Sequence, residues 1–426
     1  MKLLIIEPDS RANLKSLNRL VSTTFPIFPT LYSWQMASVT PAEHSVRVIS
    51  EMYEKIDYNE KYDLVNINFL TPYANYVYKI ADELRKRGTT VTLSGFHASA
   101  LPEEAKQHAD SVIIGRGEDS WLVLLKDLEK NKLKPFYKPE KMLDPKTIPS
   151  TKMNLPKSFI LIRGIEATRG CPNRCKFCQE SNIAGGFTFR SRPVENVIKE
   201  IKSTSQKALI FYDTSLTIDP KYTKSLFKEM KDLNKKFSCC GNIDVLASDE
   251  ELLKLANQAG CTTWLIGFES IFQKTIDSIG KKTNKVKEYP SAIKKIHDYG
   301  MSVVGSFMFG FDTDKIDVFE KTQNAINDWD IDLADFGILT PYPGTPLYHS
   351  LEKENRIITR DWTKYTMQNV VFKPKNMSED ELLEGSRKIS KEFYSNYSVI
   401  KRTTRGLKLG LYPFIQIFVR NLIVKT

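Results

Sequence analysis

The stretch TRGCPNRCKFCQE, residues 168–180, brings Cys171, Cys175 and Cys178 together within eight residues. It follows the apolar run FILIRGIEAT (159–168), which reads as a strand, so the three thiols sit in a loop at a strand end. Thiolates in such spacing select an iron–sulfur cluster or zinc. Structural zinc takes four closed ligands, and the next cysteines, Cys239 and Cys240, lie about sixty residues further on in another strand-like run. Three local cysteines therefore fit a cubane that leaves one iron open to a substrate or cofactor. The chain has six cysteines, none before Cys171. A close cluster of this kind suggests metal or redox chemistry before disulfides, and a reducing cytoplasm is expected. The opening MKLLIIEPDS reads as a buried strand and turn, with no signal peptide.

Downstream of the cysteines, apolar runs at 208–213, 237–247, 262–270, 302–311 and 333–342 alternate with amphipathic segments such as VENVIKEIK and KYTKSLFKEMKDL. With the run at 159–168 they make six β-α units over 159–350, which favour a barrel or partial barrel over an open sheet; the family resemblance given below implies a (β/α)6 partial barrel. Residues 351–426 are expected as a small helical appendage. Cys239, Cys240 and Cys261 lie in strand-like settings, where cysteine is a small buried hydrophobe.

Upstream, runs at 3–8, 45–50, 63–70, 89–95 and 111–117 alternate with helical patterns such as YVYKIADELRKR (76–87). That alternation predicts a doubly wound parallel sheet over 1–135. Such sheets hold ligands outside their carboxyl edge, where Gly95, Gly115 and Gly117 fall. The Lys- and Pro-rich stretch between them predicts a linker over 136–158. The fold class is therefore α/β, with two parallel units in series and a helical end.

CxxxCxxC with Phe177 before the last cysteine resembles the signature of radical S-adenosylmethionine (SAM) enzymes. In that family the open iron chelates SAM, and one electron releases a 5′-deoxyadenosyl radical that abstracts hydrogen from substrate. The resemblance runs over nearly the whole chain. IFYDTSLTIDP (210–220) is similar to the second-strand motif, which puts Asp213 and Thr214 near the methionine end of SAM. IGFES (266–270) is similar to the fourth-strand motif and puts Glu269 near the ribose or substrate. GSFMFGFD (305–312), with Gly305 and Gly310, resembles the Gly-rich fifth-strand motif beside the adenine. TPYPGTPLY (340–348) resembles the sixth-strand end. FRSRP (189–193) also matches; its arginines either meet a carboxylate or simply start a helix.

The first unit resembles the cobalamin-binding-like domain that precedes many radical SAM barrels, which implies corrin contacts at Ser94, Gly95, His97, Gly117 and Glu118. One departure is that DSRANL (9–14) carries no histidine where some of these domains supply one to cobalt. His97 is either a ligand contact or a capped loop histidine.

The formal charge of +11 suits anionic partners or a Lys-rich solvated surface. The tail 401–426 has six Lys or Arg and no acid. Its apolar run is too short to span a bilayer, so it reads as a helix or hairpin in a membrane interface, or a helix docked over the barrel mouth. The resemblance includes enzymes acting on hopanoid and tetraether lipids. The expected function is radical modification of an unactivated carbon of a small molecule or lipid. Cobalamin-dependent C-methylation is the leading form; ring formation or carbon–carbon coupling without cobalamin is the alternative. An external donor of flavodoxin or ferredoxin type would supply the electron. A tRNA methylthiotransferase would carry three further cluster cysteines in its first domain, and none is there. A non-catalytic zinc or nucleic-acid-binding protein would need a fourth close ligand or aromatic-basic patches.

Overall fold

The computed structural model describes residues 1–9, 31–52, 54–151 and 162–425. The first sheet contains β1 (Lys2–Glu7), β2 (Ser45–Ser50), β3 (Leu64–Asn68), β4 (Val91–Ser94), β5 (Ser111–Ile113) and β6 (Phe136–Tyr137), all parallel, in the order β2-β1-β3-β4-β5-β6. Both faces are covered, as the near-continuous apolar runs require. Leu3 and Ile5 pack on one face with Met36 of α1 (Tyr32–Val39). Leu4 and Ile6 pack on the other with Val77 and Ile80 of α2 (Ala74–Lys86). On the first face Trp121 and Leu124 of α3 (Gly117–Glu129) complete the layer. Strand pairing reaches into the Lys- and Pro-rich segment: Val112 pairs with Phe136 and Ile113 with Tyr137. The order reverses direction between β1 and β3, and ligands of doubly wound sheets bind outside such a switch point.

The second sheet is sequential: β14 (Leu333–Ile338), β13 (Ser302–Phe309), β12 (Cys261–Glu269), β11 (Lys236–Cys240), β10 (Ala208–Phe211) and β7 (Ile162–Ile165), again all parallel. With β7 and β14 as free edges it is a six-stranded open barrel. A short antiparallel pair, β8 (Thr168–Arg169) with β9 (Arg190–Ser191), brackets the cysteine loop. One expected strand is shorter than the apolar run suggested. The run 237–247 leaves the sheet after Cys240 and becomes a helix at Ile243–Ser248. Gly241 lies at the break, where a Cβ would press on the Trp264 ring, and Ile243 and Leu246, three apart, bury one helical face.

The C-terminal region is not uniformly helical. Its first part is irregular, with an Ile357–Phe372 bridge, and it packs Trp362, Tyr365 and Val371 onto the core of the first unit. Three helices follow: α4 (Glu379–Phe393), α5 (Asn396–Leu409) and α6 (Leu411–Lys425). The tail does not cover the barrel mouth. Gln416 of α6 accepts hydrogen bonds from Thr262 (3.0 Å) and Thr263 (2.5 Å), at the amino end of β12. Arg405 of α5 pairs with Asp330 and Asp332, just before β14. The tail therefore closes the bottom of the barrel, opposite its carboxyl ends. No helix among the described residues is long and apolar enough to cross a membrane.

Candidate active site

The cysteine loop leaves β8 at Gly170 and returns at β9. Gly170 has φ +79°, and a Cβ there would strike the Thr188 carbonyl; at Gly186 it would strike that of Glu180. The loop is thus folded tightly on itself, with Cys171 N–H donating to Gly186 O at 2.8 Å. Asn182 fixes the last turn by donating to the carbonyls of Cys175 (3.0 Å) and Cys178 (2.6 Å). Cys171 and Cys175 are buried and Cys178 is half-buried. Burial pushes all three thiols up, Cys175 to about 11. The loop offers three thiols, one fewer than the four closed ligands of a structural zinc site, and three thiolates suit a cubane cluster with one iron left open.

The ends of the barrel strands face this loop. Phe177 packs against the barrel core. Thr214 is exposed just beyond β10. Asp213 beside it is fully buried, and its carboxylate is taken by Thr168 Oγ1 (2.6 Å), Thr168 N–H and Ala167 N–H (3.1 Å). It thereby ties β10 to the base of the cysteine loop. Glu269 ends β12 with φ +62° and pairs with Lys281. Burial alone would lower Lys281, but Glu269 more than compensates and raises it; the thiols of Cys175 and Cys178 act in the same direction. Gly305 lies deeper, where a Cβ would meet Phe307 and Phe268. Gly310 turns its open side to Leu382 and Phe372 of the C-terminal region rather than to the lumen. The arginines of FRSRP meet the protein's own acids: Arg190 with Asp119 (3.5 Å) and Arg192 with Glu200 (2.7 Å).

The carboxyl edge of the first sheet faces the same loop across a half-open cavity of about 40 Å3. Tyr32, Asn68, Leu70, Gly95, Gly117 and Glu118 line one side, and Glu180 and Ile183 of the cysteine loop the other. Gly95 has φ +104°, and a Cβ would run into the Phe69 backbone. Ser94 lies behind it, donating to Asn66 Oδ1 at 3.0 Å. His97 does not line this cavity. It is fully buried among Phe69, Tyr78 and Trp362, with Nε2 3.2 Å from Glu104. It is a core histidine that joins the first sheet to the C-terminal region. Residues 10–14 of the DSRANL segment lie outside the described residues.

A buried chain of charges spans the junction. Glu118 pairs with Arg169, and Arg169 with Glu166 at 2.7 Å. Glu166 pairs with Arg116 at 3.0 Å, and Arg116 with Glu180 at 2.6 Å. Burial would raise Glu166, but Arg169 and Arg116 overcome it and hold it at about 2. Sequence reasoning missed these arginines, Glu166, Asn182 and Lys281.

An open parallel barrel with a three-cysteine loop at its carboxyl end, capped there by a doubly wound sheet, defines the radical SAM architecture. The Radical SAM superfamily model matches residues 165–326, and a domain of unknown function, DUF4070, matches 345–413. Bacteriochlorophyllide d C-8(2)-methyltransferase of Chlorobaculum tepidum is 33% identical over 364 residues, covering 79% of each chain. The C-12(1)-methyltransferase of the same organism is 31% identical over 353 residues, 80% of this chain and 76% of that one. Among solved structures, the cobalamin-dependent SAM radical enzyme OxsB superposes with a TM-score of 0.70 at 14% identity, covering 100% of this chain and 71% of its own. The chain belongs to the radical SAM superfamily. It is an enzyme whose cofactors include a [4Fe–4S] cluster and SAM.

Proposed function

We propose that this chain is a cobalamin-dependent C-methyltransferase acting on an unactivated carbon of a small molecule. Cys171, Cys175 and Cys178 hold its [4Fe–4S] cluster. The observation that carries the reading is the cavity shared by the carboxyl edge of the first sheet and the cysteine loop, in a chain about one-third identical to two methyltransferases over most of its length.

The lining suits a corrin in its chemistry: Leu70 and Ile183 offer apolar walls, and Gly95, Gly115 and Gly117 let the backbone pack closely on Phe69, Ala184 and Met36 at the cavity's edge. No histidine lines it among the described residues, so a corrin would take no imidazole from them. With cluster, SAM and cobalamin bound, the cofactors supply a hydrogen-abstracting 5′-deoxyadenosyl radical and a transferable methyl group. The protein's part is position. Thr214 and Glu269 lie where SAM would meet the barrel end. Lys281 offsets negative charge beside the thiolates, and the Glu118-to-Glu180 ion chain holds the loop against the cavity. An external one-electron donor completes the cycle.

The tail supports a peripheral membrane contact. Tyr397, Ile400, Leu407, Leu411, Ile415 and Phe418 are exposed, and the segment beyond Glu392 carries Lys and Arg but no acid. Because it lies beneath the barrel, such a contact would anchor the enzyme rather than feed lipid to the mouth.

The test is anaerobic reconstitution with iron, sulfide and hydroxocobalamin, followed by EPR, visible absorption and turnover with methyl-labelled SAM. Four irons per chain, loss of the signal in Cys175→Ala, a bound corrin spectrum, and formation of both 5′-deoxyadenosine and S-adenosylhomocysteine are expected. Cluster and 5′-deoxyadenosine without corrin would replace methylation by cyclisation or coupling.

A further inference from the structure

The cysteine loop is gripped at both of its ends. Arg169 lies two positions before Cys171, and Glu180 two positions after Cys178. Each is held by a side chain of the first unit: Arg169 by Glu118, and Glu180 by Arg116 at 2.6 Å. Arg116 and Glu118 stand at the amino end of α3, and both line the cavity at the carboxyl edge, as does Glu180. Glu166, off the cavity, joins the two grips by pairing with Arg169 at 2.7 Å and with Arg116 at 3.0 Å. Gln35 of α1 donates to the same carboxylate at 2.7 Å.

The pairs are interdependent. Each guanidinium sits between two carboxylates, and Arg116, Glu118, Glu166 and Arg169 are no more than 7% exposed. Buried pairs are little screened by salt and strong in their low dielectric. Taking one partner away leaves its neighbour's charge buried and uncompensated, so the members hold or loosen together. A ligand seated in the half-open cavity covers Arg116, Glu118 and Glu180 on the side that water can reach, and lowers the dielectric around them. Whatever steadies these three side chains steadies the loop on either side of the cysteines.

We propose that these five residues form one positioning device, through which a corrin in the cavity slows the opening of the cysteine loop and the loss of its cluster. The inference rests on the cluster and corrin readings made above. Coupling of this kind is reciprocal, so a cluster-bearing loop must in turn tighten corrin binding.

The test measures how fast an iron chelator, bathophenanthroline disulfonate, strips the reconstituted full-length enzyme with and without saturating hydroxocobalamin. Wild type should release iron more slowly with the corrin bound, by about fivefold or more. In Glu166→Gln, which cuts the chain at its centre, and Glu180→Gln, which cuts it at one end, the two rates should converge. A general loss of stability would speed both rates alike and keep their ratio, so a wild-type ratio in both variants would overturn the proposal. Glu166→Gln, which lies off the cavity, decides the matter if Glu180→Gln no longer shows a corrin spectrum. A second measurement needs no variant: hydroxocobalamin titrated into wild type with and without iron. It should bind more tightly to the cluster-loaded protein, and equal affinities would sink the coupling. Iron release that cobalamin leaves unchanged or speeds in wild type would do the same. Wild type without four irons would instead remove the cluster assignment, and wild type with four irons but no bound corrin would remove the cobalamin reading.

Discussion

Asp213 illustrates what a motif reveals about a single residue and what it leaves hidden. IFYDTS marks the end of a strand, and β10 does end there, but the pattern says nothing of where the carboxylate points. In the folded protein it is buried under Thr168, and burial pushes its pKa up to about 7 against the hydrogen bonds that pull it down. In an unfolded chain an aspartate titrates near 3.9. Between those values the folded state keeps a proton that the unfolded state has released. This group's contribution is therefore fully present below about pH 4, declines as the pH rises, and is lost above about 7. Asp213→Asn should flatten that part of the profile. Urea unfolding of both proteins between pH 4 and 8 measures it; parallel curves would mean that this carboxyl is not the source. The cysteines were legible for the opposite reason. Their function needs local spacing, which sequence displays directly, whereas Asn182 and Lys281 act through a fold that brings them back to the loop.

At the scale of elements, strand runs were legible because both sheets are parallel and most of their strands are buried on both faces and largely apolar, though β2 at the sheet's edge alternates instead. The ends were less legible. A run such as FSCCGNIDVLA crosses from strand to helix without losing hydrophobicity, and Gly241, where a Cβ would press on the Trp264 ring, lies at the break. The segment around Trp362 has no periodicity to read, because it works as a strap. Its indole sits in the first unit's core and donates to Glu104 at 2.9 Å, while Asn75 donates to Asp361 at 3.3 Å. Phe372 and Leu382, nearby in the chain, pack into the barrel core. Trp362→Ala removes a large buried ring and leaves His97, Tyr365 and Glu104 with a void. A loss of about 3–5 kcal/mol is expected, read by denaturant unfolding, together with faster proteolysis between the two units. Iron content after reconstitution should persist, since the hydrogen bonds that hold the cysteine loop, from Asn182 to Cys175 and Cys178 and from Cys171 to Gly186, do not involve Trp362. If the variant unfolds like wild type, the strap does not hold the units together.

At the scale of the molecule, function depends on which surfaces face one another, and that was the least legible part. Arg116 and Glu180 are 64 positions apart, and Arg116 and Glu166 are 50; nothing in the sequence pairs them, yet they join the two units beside the cavity. The tail is the converse case. Its basic, apolar composition was plain, but its location was not, and location decides its meaning. Docked by Gln416 and Ile417 at the amino ends of the strands, it presents Ile415 and Phe418 outward, on the far side of the barrel from the cysteine loop. Ile415→Asp/Phe418→Asp keeps the docking residues and changes the outward face alone. In sedimentation with vesicles containing phosphatidylglycerol, wild type should pellet and the double variant should stay in the supernatant. Both should produce 5′-deoxyadenosine from SAM at the same rate, because the mouth and the tail are at opposite ends. Vesicle binding that survives the substitutions would remove the membrane contact. SAM cleavage that falls with vesicle binding would mean that the bottom of the barrel acts on the mouth, and that the tail does more than anchor.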